Sequence, residues 1–123
     1  MIAYIVDVFS CDIFDAINCC FAVLFLTEIQ QIRACKGNTL SINCPAGQEI
    51  NVRYAMYGRT TSQVCPGNIY TTNCRGPEAL SVVLSRCQGR SSCSVWNDDS
   101  VFADDPCVHT DKYLEVEFTC IPT

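Results

Sequence analysis

A chain of 123 residues holds one domain rather than two. From Cys35 onward seven Lys and Arg face nine Asp and Glu, a near balance that argues against a nucleic-acid binder, which uses a basic face to release counterions from phosphates. Eight of the eleven cysteines lie between Cys35 and Cys120, and the closest two, Cys87 and Cys93, have five residues between them; structural zinc sites favour pairs about two to four apart, so the reading is a disulfide set in an oxidising compartment, with no metal and no cofactor.

In chain order the first element is a leader. Ala16 to Leu26 is an apolar run of signal-peptide length, too short for a spanning helix of about twenty residues. Residues 1–15 carry three aspartates and no Lys or Arg, whereas a signal peptide normally opens positive. An atypical signal peptide, a signal-anchor remnant and an N-terminus foreign to the mature product all stay open. The cysteine distribution favours removal of residues 1–33, which leaves a secreted or extracellular domain over residues 34–123. Its mature start is expected between Glu28 and Cys35.

Leu40, Ile42 and Cys44 alternate with Thr39, Ser41 and Asn43, the period-two pattern of a half-buried strand. Pro45-Ala46-Gly47 makes a turn. A second strand then places Ile50, Val52, Tyr54 and Met56 on one face and Asn51, Arg53 and Ala55 on the other, and ends at Tyr57-Gly58-Arg59. Residues 60–76, rich in Thr, Ser, Asn and Gly, form a long loop that cross-links must hold. Pro77 suits the first position of a helix in which Leu80, Val83, Leu84 and Cys87 make one buried stripe. Cys87 to Cys93 reads as a tight cross-linked turn, followed by a core Trp96. In the last strand Leu114, Val116, Phe118 and Cys120 are buried, while Tyr113, Glu115, Glu117 and Thr119 face water. The order implies a small disulfide-rich α+β fold, an antiparallel sheet or small sandwich with one or two short helices.

Five local motifs share this frame: Ala34-Cys35-Lys36-Gly37, Tyr57-Gly58-Arg59, Ser81-Val82-Val83 through Arg86-Cys87, Ser100-Val101-Phe102, and Asp105-Pro106-Cys107 through Lys112-Tyr113-Leu114. Together they resemble the galactose/rhamnose-binding lectin domain of sea-urchin-egg-lectin type, over roughly residues 34 to 121 with all eight cysteines in register. The resemblance implies an antiparallel β-sandwich with short helices. It also implies disulfides joining Cys35 to Cys65, Cys44 to Cys120, Cys74 to Cys107 and Cys87 to Cys93, a choice the cysteines alone leave open among about 105 connectivities.

A pyranose offers hydroxyls and apolar C–H patches, which carboxylates, an ammonium and an aromatic ring are suited to grip. The resemblance implies such a site at Lys36, Tyr57, Asp105, His109 and Lys112. Members of the family typically carry a glutamate where Lys36 stands and a glycine where His109 stands, and Ala103-Asp104-Asp105 runs one residue longer than usual. Each residue has a structural alternative: Tyr57 as a turn wedge, Asp105 as a turn starter, Lys112 as a solvated edge lysine, and His109 as an incidental loop residue. Arg59 reads as a turn or ion-pair residue. The acidic group Asp98, Asp99, Asp104, Asp105 and Asp111 lacks calcium-loop spacing and reads as a solvated loop.

Catalysis finds no constellation. His109 is the only histidine and has no evident nucleophile partner, and Asp104, Asp105 and Glu115 define no fixed carboxylate separation. The expected function is non-enzymatic, calcium-independent recognition of a terminal galactoside- or rhamnose-like monosaccharide on glycans or glycoconjugates, with self-association as one route to avidity. The rival is an extracellular module that binds a cell-surface protein on the same fold and has lost the sugar; Lys36 and His109 are its basis.

Overall fold

The computed structural model describes residues 2–9, 23–102 and 105–123. The strands are β1 (Ile2–Phe9), β2 (Val23–Ala34), β3 (Thr39–Asn43), β4 (Gln48–Arg59), β5 (Cys74–Arg75), β6 (Ser92–Trp96) and β7 (Tyr113–Pro122), with helices α1 (Ala79–Cys87) and α2 (Asp99–Phe102). One antiparallel sheet has the order β1-β2-β7-β4-β5, and β3 pairs with β6 in a second. This is the disulfide-rich α+β class expected. All four implied disulfides form: Cys35–Cys65, Cys44–Cys120, Cys74–Cys107 and Cys87–Cys93.

Most of the apolar run expected as a leader, together with Cys11, Cys19 and Cys20, lies outside the described residues. Its last part belongs to β2, and Gln30–Ala34 of that strand pair with β7, Ala34 lying opposite Leu114. The sheet therefore reaches upstream of residue 34, where the domain was expected to begin.

The main core lies between the two sheets and α1. Leu40 and Ile42 from β3, Val95 from β6, Val83 and Cys87 from α1, and Leu114, Val116 and Phe118 from β7 meet there. Each fully buried aliphatic or aromatic side chain contributes about 1.5 to 3 kcal/mol, and each disulfide about 2 to 4 kcal/mol, which is how so short a chain holds a fixed shape.

The face assignment of β4 differs from expectation. Val52 lies opposite Phe118 and Tyr54 opposite Glu117, so Arg53 is an extra residue and the register shifts there. A bulge of this kind reverses the alternation downstream. Ile50 and Val52 face the main core with Ala55 and Tyr57, whereas Tyr54 and Met56 turn to a second cluster with Cys65 and Tyr113. The same cluster corrects the expectation for β7. Tyr113 is fully buried rather than wet, its hydroxyl accepting from Thr60 N at 3.2 Å, and Thr119 is buried as well.

In α1 the buried stripe is Ala79, Val83 and Cys87, at four-residue spacing. Leu80 and Leu84, expected inside, are 43% and 36% exposed. The bridge from Cys87 to Cys93 in β6 directs that edge of the helix inward and turns the neighbouring leucines out. Pro77 stands two residues before Ala79, with Glu78 at the cap rather than in the first turn. Trp96, expected in the core, is 44% exposed on β6, and its Nε1 donates to Asp98 Oδ2 at 3.3 Å.

Candidate functional site

The bulge at Arg53 decides where the site forms, because it brings Tyr57 inward at the end of β4. The Tyr57 ring stacks on Phe102 of α2, with centroids 4.2 Å apart and planes 10° from parallel. Its hydroxyl donates to Asp99 Oδ1 on the first residue of α2. Burial, then the bond to Asp99, raises the phenol's pKa well above its ordinary value and keeps it a donor. Next along the strand, Gly58 passes so close to the Cys74 carbonyl of β5 that no side chain fits there.

Arg59, fully buried, organises the loop that follows. Its Nε donates to Asp111 O at 2.7 Å, Nη1 to Thr61 O at 3.0 Å and Val64 O at 2.8 Å, and Nη2 to Cys65 O at 2.6 Å. The guanidinium also lies 5.1 Å from the Tyr113 ring centroid. Arg59 is thus a structural residue, as expected, though its partners are backbone carbonyls. It ties residues 60–65 to the segment that leads into β7.

That segment carries the polar centre. Lys112 is 8% exposed, and its Nζ donates to Thr110 O at 2.9 Å and to Asp105 Oδ1 at 2.8 Å, with Asp99 Oδ1 at 3.7 Å. It is no edge lysine, since β7 is flanked by β2 and β4. Asp105 Oδ1 also accepts from Cys107 N at 3.1 Å, so the turn role and the ion pair coincide in one carboxylate. The hydrogen bond from Lys112 holds the Asp105 carboxyl below the usual carboxylate range. Asp111 is lowered likewise, first by the bond from Lys36 Nζ at 2.9 Å and then by Asn68 N at 2.9 Å.

Lys36, Tyr57, Asp105, His109 and Lys112, which come from separate stretches of chain, all line one cleft of about 410 Å³, within the range of about 300 to 1,000 Å³ typical of small-ligand sites. His109 is in the left-handed region at φ 72°, a conformation that disfavours any residue but glycine, and its ring stands at the rim. Asp98, Asp99 and Asp111 line the cleft too. Asp98 and Asp105 are exposed, as a solvated loop implies, and Asp99, Asp105 and Asp111 also carry hydrogen bonds that make them one wall of the cleft; Asp104 lies outside the described residues. Among the described residues no cluster of His, Cys, Asp and Glu is arranged to hold a metal. Glu115 is elsewhere, accepting from Arg33 Nη2 at 2.6 Å across β2 and β7.

Sequence reasoning missed Asp99, Asp111 and Asn97 as individual site residues. Asp99 stands one residue before the Ser100-Val101-Phe102 motif, the one signal that would have found it. Asn97 is buried; its Nδ2 donates to Ala34 O at 2.8 Å, and its Oδ1 has no partner among the described residues. No pattern in the sequence marks it.

Comparison with known proteins follows the same frame. The family model described as the D-galactoside/L-rhamnose binding SUEL lectin domain matches residues 42–120. An L-rhamnose-binding lectin of Echinometra lucunter is 45% identical over 95 residues, covering 75% of this chain and 91% of the relative. A D-galactoside-specific lectin of Heliocidaris crassispina is 42% identical over 96 residues, covering 75% and 90%. Latrophilin Cirl of Drosophila ananassae is 41% identical over 99 residues, which cover 78% of this chain and 6% of that much longer protein. With the four bridges, the two-sheet core and a family match over most of its length, the chain belongs to the D-galactoside/L-rhamnose binding SUEL lectin domain family.

Proposed function

We propose that the cleft binds a terminal monosaccharide of the galactoside or rhamnose kind, without calcium and without chemical change to the sugar. The observation that carries this is the Lys112 ammonium, held by Thr110 O and Asp105 Oδ1 with Asp99 beside it. Two of its three donors are used there, which leaves one for a ligand. Asp99 Oδ2 and Asp105 Oδ2 have no donor among the described residues, so acceptors flank that donor. Adjacent ring hydroxyls each donate and accept, and such an alternation matches them. Tyr57 acts through Asp99, holding its carboxylate in place.

Lys36 and His109 bound the site from its rim. Lys36 donates into Asp111 rather than offering an acceptor, so the sugar's hydroxyls are taken by Asp99 and Asp105. Neither His109 nor any carboxylate pair here has the partner a catalytic step needs, and the family is a binding one. Four disulfides suit an oxidising compartment, and we place the protein outside the cytosol. One site of this size is weak alone, so glycan clusters or self-association supply avidity.

A glycan array probed with the wild type and with Lys112→Met tests this reading. Methionine keeps the buried stem and removes the charge. Each charged hydrogen bond contributes about 1.5 to 3 kcal/mol, so affinity should fall about 10- to 100-fold with folding intact by circular dichroism. A silent array for the wild type, beside specific capture of a cell-surface protein, would sink the sugar reading in favour of the protein-binding one.

A further inference from the structure

We propose that the cleft continues into a second subsite, a shelf made by Tyr70 and His109, which takes the sugar residue or aglycone attached to the terminal one. The proposal rests on the carbohydrate reading of the cleft. Tyr70 lines the cleft yet is 78% exposed, and His109 lines it too. The Tyr70 and His109 rings lie 5.8 Å apart at 58°. An otherwise polar cleft thus has an aromatic margin whose tyrosine is largely exposed.

The shelf is held in place. Tyr70 N and Thr71 N both donate to the buried Thr110 Oγ1, at 3.0 and 3.2 Å. Asp111 N donates to Asn68 O at 2.8 Å, Asn68 N returns to Asp111 Oδ2, and Cys74–Cys107 binds the two segments covalently. The loop carrying Tyr70 is therefore fastened to the stretch that presents Lys112. With the backbone at Tyr70 fixed this way, ordering of the loop adds little to the entropy cost of binding. At His109 a side chain is kept despite the left-handed backbone, where glycine would be unstrained.

The occupant follows from continuity with the cleft. With a pyranose seated at Lys112 and its glycosidic substituent leaving across this rim, the apolar C–H face of a second ring, or an aromatic aglycone, would pack on the exposed tyrosine.

The test is a titration of the intact chain with the methyl and p-nitrophenyl glycosides of L-rhamnose and D-galactose. The wild type should bind the p-nitrophenyl member of the preferred pair about fivefold more tightly than the methyl member. Tyr70→Ala should bring that ratio to about one, and Tyr70→Phe, which keeps the ring, should restore it. A wild-type ratio near one, or a ratio unchanged in Tyr70→Ala, overturns the subsite alone. Failure of the wild type to bind any of the four glycosides overturns the carbohydrate reading and this subsite with it.

Discussion

His109 bears the clearest local conflict in the domain, an L-residue at φ 72°. The left-handed region costs a non-glycine residue about 1 to 2 kcal/mol, partly offset by the larger unfolded-state entropy of glycine. His109→Gly should stabilise the domain by up to about 1 kcal/mol, read as a rise in Tm, while stripping one ring from the rim. The carboxylates make a second prediction. Asp105 and Asp111 have folded pKa values below their ordinary value of about 3.9, so the unfolded chain binds more protons on acidification. Their stabilisation is complete above that ordinary value and is lost as pH falls through the lower folded values. Tm should be flat from pH 7 to about 5 and fall below about 4, and Asp105→Asn should show a shallower acid limb from a lower plateau.

At the scale of elements, a single extra residue in β4 and one buried guanidinium do most to assemble the cleft. Strict alternation would have put Tyr57 on the face opposite Ile50 and Val52; the bulge at Arg53 brings it to Phe102 and Asp99 instead. Nothing in Gln48–Arg59 read alone marks the bulge, because both faces of the strand carry large side chains and the register is decided by its pairing with β7. Arg59 shows the same dependence on context. Its four backbone hydrogen bonds span the loop after β4 and the turn before β7, and a lysine there has neither the fork nor the reach to replace them. Arg59→Lys should lose at least about 3 kcal/mol in urea unfolding, since several buried carbonyls are left without donors. Hydrogen exchange should quicken first in residues 60–73.

For the whole molecule, the domain boundary matters most. Gln30–Ala34 give β7 its second neighbour, Arg33 Nη2 bonds Glu115 Oε2 at 2.6 Å, and Ala34 O holds the buried Asn97. A chain beginning at Glu28 keeps these contacts, and one beginning at Cys35 exposes an unpaired edge on the central strand. The shorter form should melt about 10 °C lower, given about 4 to 8 °C per kcal/mol in a domain this size, and aggregate sooner. The sequence by itself determined the disulfide class from eight widely spaced cysteines, the strands over Thr39–Asn43 and Tyr113–Pro122 from their alternation, and, through motif resemblance, the bridges and the five residues that meet in the cleft. These are legible because period, spacing and local motif are properties of neighbours along the chain. Only the tertiary structure decided which face Tyr57 occupies, that Leu80, Leu84 and Trp96 lie outside, that Tyr113 lies inside, and that Asp111 and Asn97 join the site. Those outcomes depend on pairing register, on the rotation a cross-link imposes on a helix, and on contacts between segments far apart in sequence, none of which a local pattern encodes.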